Sequence, residues 1–480
     1  RVTIDGQAIL TALLALYWIV VVIALVAEDR DPSSTLAWIL ILSLLPVFGL
    51  VLYYFLGRDW AGITSKSKWL RARESIRVPF MHEIWALNAA EVESFYAQEG
   101  LDVSHEVAHA IWAQTHVPPL LARDIEIWPS GEEYFPHLID DLRAAQETIN
   151  MQYFIWEEDE LTDQIVEVLL ERLAAGVEVR ILNDFFGNIF YSKKGLKRLK
   201  AAGAYVLSDM IAIKQANYRN HRKITIVDGV VAHTGGINLG QEYIDGGKRY
   251  DSWRDTGMRL KGPAVFALQD LFCQRWFEVD GASLYREKFF PLEKVGTGDV
   301  LTQVAAHGVE DYWRASARAY EVAISSADRY VLVQSPYYIP TESMEDALIN
   351  AALAGVEVHL MITGVPDKKV AWYAAFSYFE RLLRAGAHVH LYESGFFHAK
   401  SITIDDECSA VGTMNLDVRS LYLHKELMVW MYDREIALRN RAIFERDREE
   451  CREVSLDEIE RMRFITRSRN SAARLGSKLL

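Results

Sequence analysis

The chain has 480 residues, half of them hydrophobic and a quarter charged, with a mean hydropathy near zero. That excludes a disordered or fibrous polypeptide and leaves apolar mass for roughly three structural units of about 150 residues each. The net charge of −14 and pI near 5.5 exclude a generally basic nucleic-acid-coating protein, and three distant cysteines, Cys273, Cys408 and Cys451, exclude a disulfide scaffold or a cysteine-based zinc module.

Hydropathy is concentrated at the amino terminus. Ala8–Ala27 and Leu36–Leu56 are runs of 20 and 21 residues without a charge. At 1.5 Å per residue, either run as a helix reaches across a hydrocarbon core of about 30 Å. The connector between them carries Arg30 and three acids, whereas Arg58, Lys66, Lys68, Arg71, Arg73 and Arg77 follow the second run. Residues 1–60 are therefore predicted to be a two-helix transmembrane hairpin, kinked at Pro46, with the rest of the chain in the cytoplasm. A cleaved signal peptide fits less well, because its apolar region would be shorter and no second span would follow.

Residues 61–123 read as a basic juxtamembrane segment and linker. Within it, His105-Glu106-Val107-Ala108-His109 has the H-E-x-x-H spacing of zinc proteases. No third ligand lies nearby in sequence, so it reads as a solvated helix face.

Two domains are predicted next, at 124–295 and 296–455, divided near Glu293–Asp299. Ala175-Gly176-Val177-Glu178-Val179 recurs as Ala354-Gly355-Val356-Glu357-Val358, and Ala202-Gly203-Ala204 recurs as Ala385-Gly386-Ala387. Each Ala-Gly pair ends a helical pattern and leads into an apolar strand-like run. The expectation is an α/β fold with substantially parallel pairing, in which two similar domains form one site at their interface.

The chemistry repeats in the same register. His221-Arg222-Lys223 precedes Asp228 as H-x-K-x4-D, and Gly235-Gly236-Ile237-Asn238 follows. His398-Ala399-Lys400 precedes Asp405 identically, and Gly412-Thr413-Met414-Asn415 follows. His and Lys at i and i+2 share one face of a strand, and the glycines let each Asn return beside them. Two histidines, two lysines and two asparagines then make a pocket suited to one phosphate.

These paired motifs resemble the phospholipase D superfamily, and within it the bacterial cardiolipin synthases. The closer likeness rests on the hairpin with Leu36-Ala37-Trp38-Ile39-Leu40, on Asn220-His221-Arg222-Lys223, on Gln334–Pro340 and on Asn415–Ser420. One departure is His424, where the family usually has Asn ahead of the Glu at 426. The resemblance implies two tandem phospholipase D-like domains sharing one pseudo-two-fold active site at the bacterial inner membrane. The implied reaction is phosphatidyl transfer between two phosphatidylglycerol molecules through a phosphohistidine, giving cardiolipin and glycerol. Hydrolysis to phosphatidic acid is the alternative, with a superfamily nuclease or a zinc protease further off.

By the same resemblance His221 is the nucleophile and His398 the acid/base. Lys223, Lys400, Asn238 and Asn415 would hold phosphate oxygens, so no metal or other cofactor is expected. Asp228 and Asp405 would be structural or orienting, and Glu242 and Glu426 would accept the second ring N–H of the histidines. Phe185, Phe186, Tyr337, Tyr338, Phe396 and Phe397 are candidates for a lipid path. His233, His307, His359, His388 and His390 read as structural. Residues 456–480, with six cations from Arg461 to Lys478 among apolar residues, read as a basic tail able to lie on anionic lipid. Phospholipid and membrane are thus the expected partners, and nucleic acid is not.

Overall fold

A computed structural model of the chain describes residues 6–28, 32–58, 68–191, 193–209 and 217–477. These fall into two compact units, the hairpin and a body that starts at Lys68.

In the hairpin, Gly6–Val26 forms one uninterrupted helix. The second apolar run departs from the expectation of a single kinked span. Helix Pro32–Leu44 ends, Leu45 leaves helical geometry, and a new helix Pro46–Leu52 begins with its proline in the first turn before a π-helical turn at Tyr53–Gly57. Proline lacks an N–H and crowds the residue before it, so the helix stops and restarts here. Among the described residues no helix is long and apolar enough to cross a membrane. Val21 and Leu25 pack against Trp38 and Leu42, while Ile19, Ile23, Leu40, Leu44, Val47 and Phe48 face outward and are exposed.

The body is built on one sheet. Its first half supplies β1 (Leu120–Trp128), β2 (Thr148–Tyr153), β3 (Glu178–Asp184), β4 (Tyr205–Asp209), β5 (Ile224–Val227), β6 (Val231–Gly235), β7 (Trp253–Arg254) and β8 (Gly257–Lys261). The second half supplies β9 (Val300–His307), β10 (Tyr330–Gln334), β11 (Tyr338–Ile339), β12 (Glu357–Thr363), β13 (His388–Tyr392), β14 (Phe396–Phe397), β15 (Ser401–Ile404), β16 (Cys408–Gly412), β17 (Leu416–Asp417), β18 (Glu426–Met431) and β19 (Cys451–Glu453).

Strand order in the main sheet runs β4-β3-β2-β5-β6-β8-β1 and continues as β9-β18-β16-β15-β10-β12-β13-β19. The two halves meet where β1 pairs antiparallel with β9, and strand order mirrors outward from that pair, apart from the added edge strand β19. Parallel pairing is confined to β2–β3–β4 and β10–β12–β13 in this sheet. The predicted substantially parallel sheet is therefore corrected to a mixed one. The βαβ crossovers occupy only its outer thirds, and the motif strands β5–β6 and β15–β16 are joined by tight turns that require antiparallel neighbours.

The repeated Ala-Gly pairs have a local cause. Helix Glu160–Ala174 ends at Ala175, and Gly176 follows with φ of 91°. Gly203, Gly355 and Gly386 do the same at φ of 105°, 95° and 96°. A left-handed residue after the last turn caps the free carbonyls, and only glycine enters that conformation without cost. The helices cover the sheet through apolar faces, with one cluster under each half and a third across the central strands through Leu120, Val304, Ile224 and Leu427.

The stretch expected as a linker is ordered packing from Lys68 onward. Helix Lys68–Trp85 places Met81 and Ile84 in the central cluster, and helix Asp102–Thr115 places Val103, Val107 and Ile111 against Tyr320 and Ile324. Arg77 donates to both carboxylate oxygens of Asp270 at 2.8–2.9 Å, and Arg73 pairs with Glu278. Two of the six flanking cations are thus neutralised inside the body. The tail is docked as well: helix Phe464–Ser477 lies on helix Lys369–Arg384, with Arg469 over the Tyr373 ring at 3.7 Å and Arg474 over Tyr378 at 4.2 Å. Phe464, Ile465 and Leu475 stay exposed on its outer side.

Candidate active site

Two short cross-half pairings build the site. β7 pairs in parallel with β14, so Arg254 lies opposite Phe397, and Asp255 and His398 follow side by side. Symmetrically, Asn220 bridges Lys425 in parallel, and His221 and Glu426 follow. The backbone N–H of His398 donates to Arg254 O at 2.7 Å, and that of His221 to Lys425 O at 3.0 Å. Each histidine is therefore held by the other half of the protein.

The side chains repeat the exchange. His398 Nδ1 lies 2.6 Å from Asp255 Oδ2. His221 Nδ1 lies 3.0 Å from Glu426 Oε1 and 3.1 Å from the carbonyl of Thr413. A carbonyl only accepts, so Nδ1 of His221 carries the proton and Nε2 keeps its lone pair toward the cavity. Burial and the nearby Lys223 hold the His221 imidazole well below its ordinary value, and burial with Lys400 takes His398 down to about 4. Both surroundings therefore favour the neutral ring.

The two carboxylates differ. Burial pushes Asp255 up, but Lys400 and His398 outweigh it and hold it below the usual range. Glu426 is pushed up to about 7, chiefly by burial. Gly236 makes room for Asp255: a Cβ there would stand 2.0 Å from its carboxylate oxygen. Arg254 then ties this segment to the second half through a buried pair with Asp447, Nη2 to Oδ2 at 2.6 Å.

Lys223 and Lys400 are buried beside the histidines, and each Nζ donates to the carbonyl of its own motif histidine. Burial lowers Lys223 to about 7 and Lys400 to about 8. A buried ammonium with no anion of its own is stabilised when a phosphate arrives. His221, His398, Asn238 and Asn415 line one cavity of about 370 Å³. Asn415 Oδ1 has no partner, whereas the Asn238 amide donates to Tyr243 Oη at 2.7 Å and its carbonyl accepts from Ile155 N–H.

The remaining sequence candidates divide. Asp228 and Asp405 lie at the far ends of β5 and β15, away from the cavity. The carboxylate of Asp228 accepts from the N–H groups of Gln146, Glu147 and Thr148 at 2.7 Å each, and that of Asp405 from Asp328, Arg329 and Tyr330. Both sit at positive φ, which a short polar residue tolerates. Glu426 holds a histidine, but Glu242 does not. Glu242 lines the cavity and shares a proton-holding contact with Glu157, and burial raises it to about 7. The residue on His398 is Asp255. The available signal was the parallel between Trp253-Arg254-Asp255 and His424-Lys425-Glu426 at nearly the repeat offset.

Of the six aromatic candidates, Tyr337 and Phe396 line the cavity, joined by Phe154, Tyr250 and Trp253, which sequence reasoning missed. Phe397 and Tyr338 are core residues, and Phe186 lies under Arg219 at 3.9 Å. His233 is bonded to Asp141, His307 to the Ser420 carbonyl, and His359 to His390. His105 Nε2 is bonded to the Phe95 carbonyl at 2.7 Å. Among the described residues no group of three His, Cys, Asp or Glu is placed to hold a metal ion.

The chain matches the cardiolipin synthase, PLD-like domain family twice, over residues 138–264 and 320–448, and the phospholipase D-nuclease N-terminal family over residues 13–58. The major cardiolipin synthase of Bacillus subtilis is 33% identical over 485 residues, spanning 99% of this chain and 100% of that protein. A cardiolipin synthase of Oceanobacillus iheyensis is 32% identical over 458 residues, spanning 94% of this chain and 95% of that protein. Among solved structures, a phosphatidylserine synthase from Haemophilus influenzae shares the fold with a TM-score of 0.62 at 13% identity, covering 78% of this chain and all of that one.

Proposed function

We propose that this chain, which belongs to the cardiolipin synthase family with paired phospholipase D-like domains, transfers a phosphatidyl group from one phosphatidylglycerol to another. The observation that carries the reading is the reciprocal hold on the two histidines, each fixed by a carboxylate from the opposite half above one cavity. In this reading both Nε2 atoms reach a single phosphorus, and Lys223 and Lys400, buried beside the histidines, draw on its non-bridging oxygens.

In the first step Nε2 of His221 attacks phosphorus, the bond to the glycerol oxygen breaks, and His398 delivers the proton to that oxygen. In the second step His398 removes a proton from the terminal hydroxyl of the second phosphatidylglycerol, that oxygen attacks phosphorus, and the P–N bond breaks. Cardiolipin and glycerol leave. The unequal carboxylates support this division. The residue that carries the travelling proton needs the better stabiliser of its imidazolium, and Asp255 is held toward its ionised form where burial pushes Glu426 toward its neutral one. The phosphodiester's own charge raises both histidines toward a working range once bound.

The hairpin fits a membrane anchor through its outward-facing apolar side chains and its match to the amino-terminal family. The charge difference between its flanks favours a two-pass arrangement with the catalytic halves in the cytoplasm. Exposed Phe464, Ile465 and Leu475 on a basic helix offer a further contact with lipid.

The test is product analysis of the purified full chain with labelled phosphatidylglycerol, beside His221→Ala and His398→Ala. Cardiolipin with stoichiometric glycerol, lost in both variants, is expected. Phosphatidic acid as the sole product would make water the acceptor and overturn the synthase reading.

A further inference from the structure

The two sides of the cavity are related by the internal symmetry but differ in chemistry. Trp253 packs beside His398 with ring centroids 5.7 Å apart. At the equivalent place His424 packs beside His221 at 5.9 Å. Trp253 is surrounded by rings, with Phe396 at 4.7 Å and Tyr250 at 5.8 Å. Among the described residues neither nitrogen of His424 has a hydrogen-bond partner, and the nearest carboxylate oxygen, on Glu426, is 3.8 Å away. Two unbonded nitrogens in a buried imidazole are costly unless a partner arrives.

The groups around His424 are cationic. Lys368 and Arg419 line the same cavity, and Arg219 adds a third positive charge with its Nη1 buried and unbonded. Lys368 is exposed, its ammonium over the Tyr337 ring at 5.4 Å. The carboxylates on this side are committed elsewhere: Glu426 holds His221, Asp184 beside Arg219 accepts from the N–H groups of Gly187 and Asn220, Asp367 accepts from the Tyr337 hydroxyl at 2.6 Å, and Asp417 caps helix Val418–Tyr422 through the N–H groups of Arg419 and Ser420. Burial and the neighbouring cations all disfavour a charged His424. A neutral imidazole, with one donor and one acceptor, stands in a field that favours an anion.

We propose that His424, Lys368 and Arg419 form a second anion subsite, separate from the paired His–Lys motifs, that holds the phosphate of the acceptor phospholipid. The inference rests on the transfer reaction above and identifies where its second substrate is recognised. The acceptor's phosphate and the transferred one become joined through a single glycerol, so their sites must lie within one glycerol's length. A ring adjoining His221 meets that demand. Water and free glycerol lack this phosphate, and a subsite that rewards it selects lipid acceptor over both. A turn of the imidazole about Cβ–Cγ points either nitrogen into the cavity its edge already lines.

The experiment compares two reactions of the full chain in phospholipid–detergent micelles: cardiolipin formation from phosphatidylglycerol, and exchange of labelled free glycerol into phosphatidylglycerol. The second uses the same donor and the same chemistry, with an acceptor that has no phosphate. In His424→Phe the ratio of cardiolipin formation to glycerol exchange is expected to fall about tenfold, and the KM for phosphatidylglycerol in cardiolipin formation to rise. Lys368→Gln moves the ratio in the same direction. His424→Asn, which keeps one donor and one acceptor, restores most of it. An equal fall in both reactions would mark His424 as structural and overturn the proposal, as would an unchanged ratio. Neither reaction in the unsubstituted chain would instead overturn the functional reading on which the subsite depends.

Discussion

His398 Nδ1 meets Asp255 Oδ2 at 2.6 Å across a separation of 143 residues, so the second half's histidine takes its orientation from the first half's carboxylate. An amide in place of that carboxylate would favour the wrong tautomer and leave the imidazolium unsupported. Asp255→Asn is expected to lower kcat by about 10³–10⁴, the scale known for a triad carboxylate. Glu426→Gln is expected to cost less, about 10–10² on the same principle, because Glu426 already shares its proton near pH 7. Turnover at saturating phosphatidylglycerol separates them, and the opposite order would exchange the roles assigned to His221 and His398.

Activity should fall on both sides of neutrality. Lys223 and Lys400 must be charged to hold phosphate oxygens, and burial brings them to about 7 and about 8. kcat/KM is therefore expected to decline as pH rises through 7–8, with macroscopic values that belong to the coupled pair. At the acid side the nucleophile His221, held well below its ordinary value by burial and Lys223, can no longer attack once it is protonated. Stability follows a separate sign. A histidine lowered from 6.5 is neutral in the fold but protonates when unfolded, so stability drops as pH falls from about 6.5 to about 4. A pH-rate profile that stays flat between 6 and 9 would remove the lysines from phosphate binding.

Replacing either lysine separates activity from stability. Lys223→Met removes a buried ammonium that donates to the His221 carbonyl. Cardiolipin formation should fall by about 10²–10³, the scale of losing one preorganised donor. The melting temperature should hold or rise, because the desolvation cost of the charge is gone. A clear drop in melting temperature would show that Lys223 is structural in the empty enzyme.

The aspartates of the paired motifs behave oppositely. Asp228 satisfies three backbone N–H groups at the start of β2, more than 80 residues away from it in sequence for two of them. Asp228→Ala is expected to cost about 2–3 kcal/mol of stability through those unmet donors. Activity per folded molecule should be retained at low temperature, since the side chain lies at the far end of β5 from His221. Loss of activity with an unchanged melting curve would give it a direct part in the chemistry.

The H-E-x-x-H segment tests metal independence. His105 is occupied by the Phe95 carbonyl and stacks edge-on against the Phe95 ring at 4.7 Å. Purified enzyme treated with a chelator is expected to keep full activity, and elemental analysis to find less than one zinc per chain. Activity lost to the chelator and restored by one added metal would contradict both expectations.

The spacing of H-x-K-x4-D was enough to select both His–Lys pairs, because i and i+2 on a strand share a face whatever surrounds them. The Ala-Gly repeats located the helix ends, because a left-handed residue after the last turn is a local demand on one residue. The family followed from the same motifs. Spacing could not tell which acid meets which histidine. Glu242 is nearer than Asp255 to its own motif, yet the parallel pairing of β7 with β14 brings Asp255, and not Glu242, to His398. It could not show that helices Lys68–Trp85 and Asp102–Thr115 would be consumed in packing, nor that Pro46 would break a helix rather than kink it. These outcomes depend on partners distant in the chain or on competing local geometries, and a side chain's sequence neighbours carry no record of either. The pseudo-two-fold site is likewise a property of the β1–β9 seam: each half encodes a complete motif, but neither contains the carboxylate its own histidine uses.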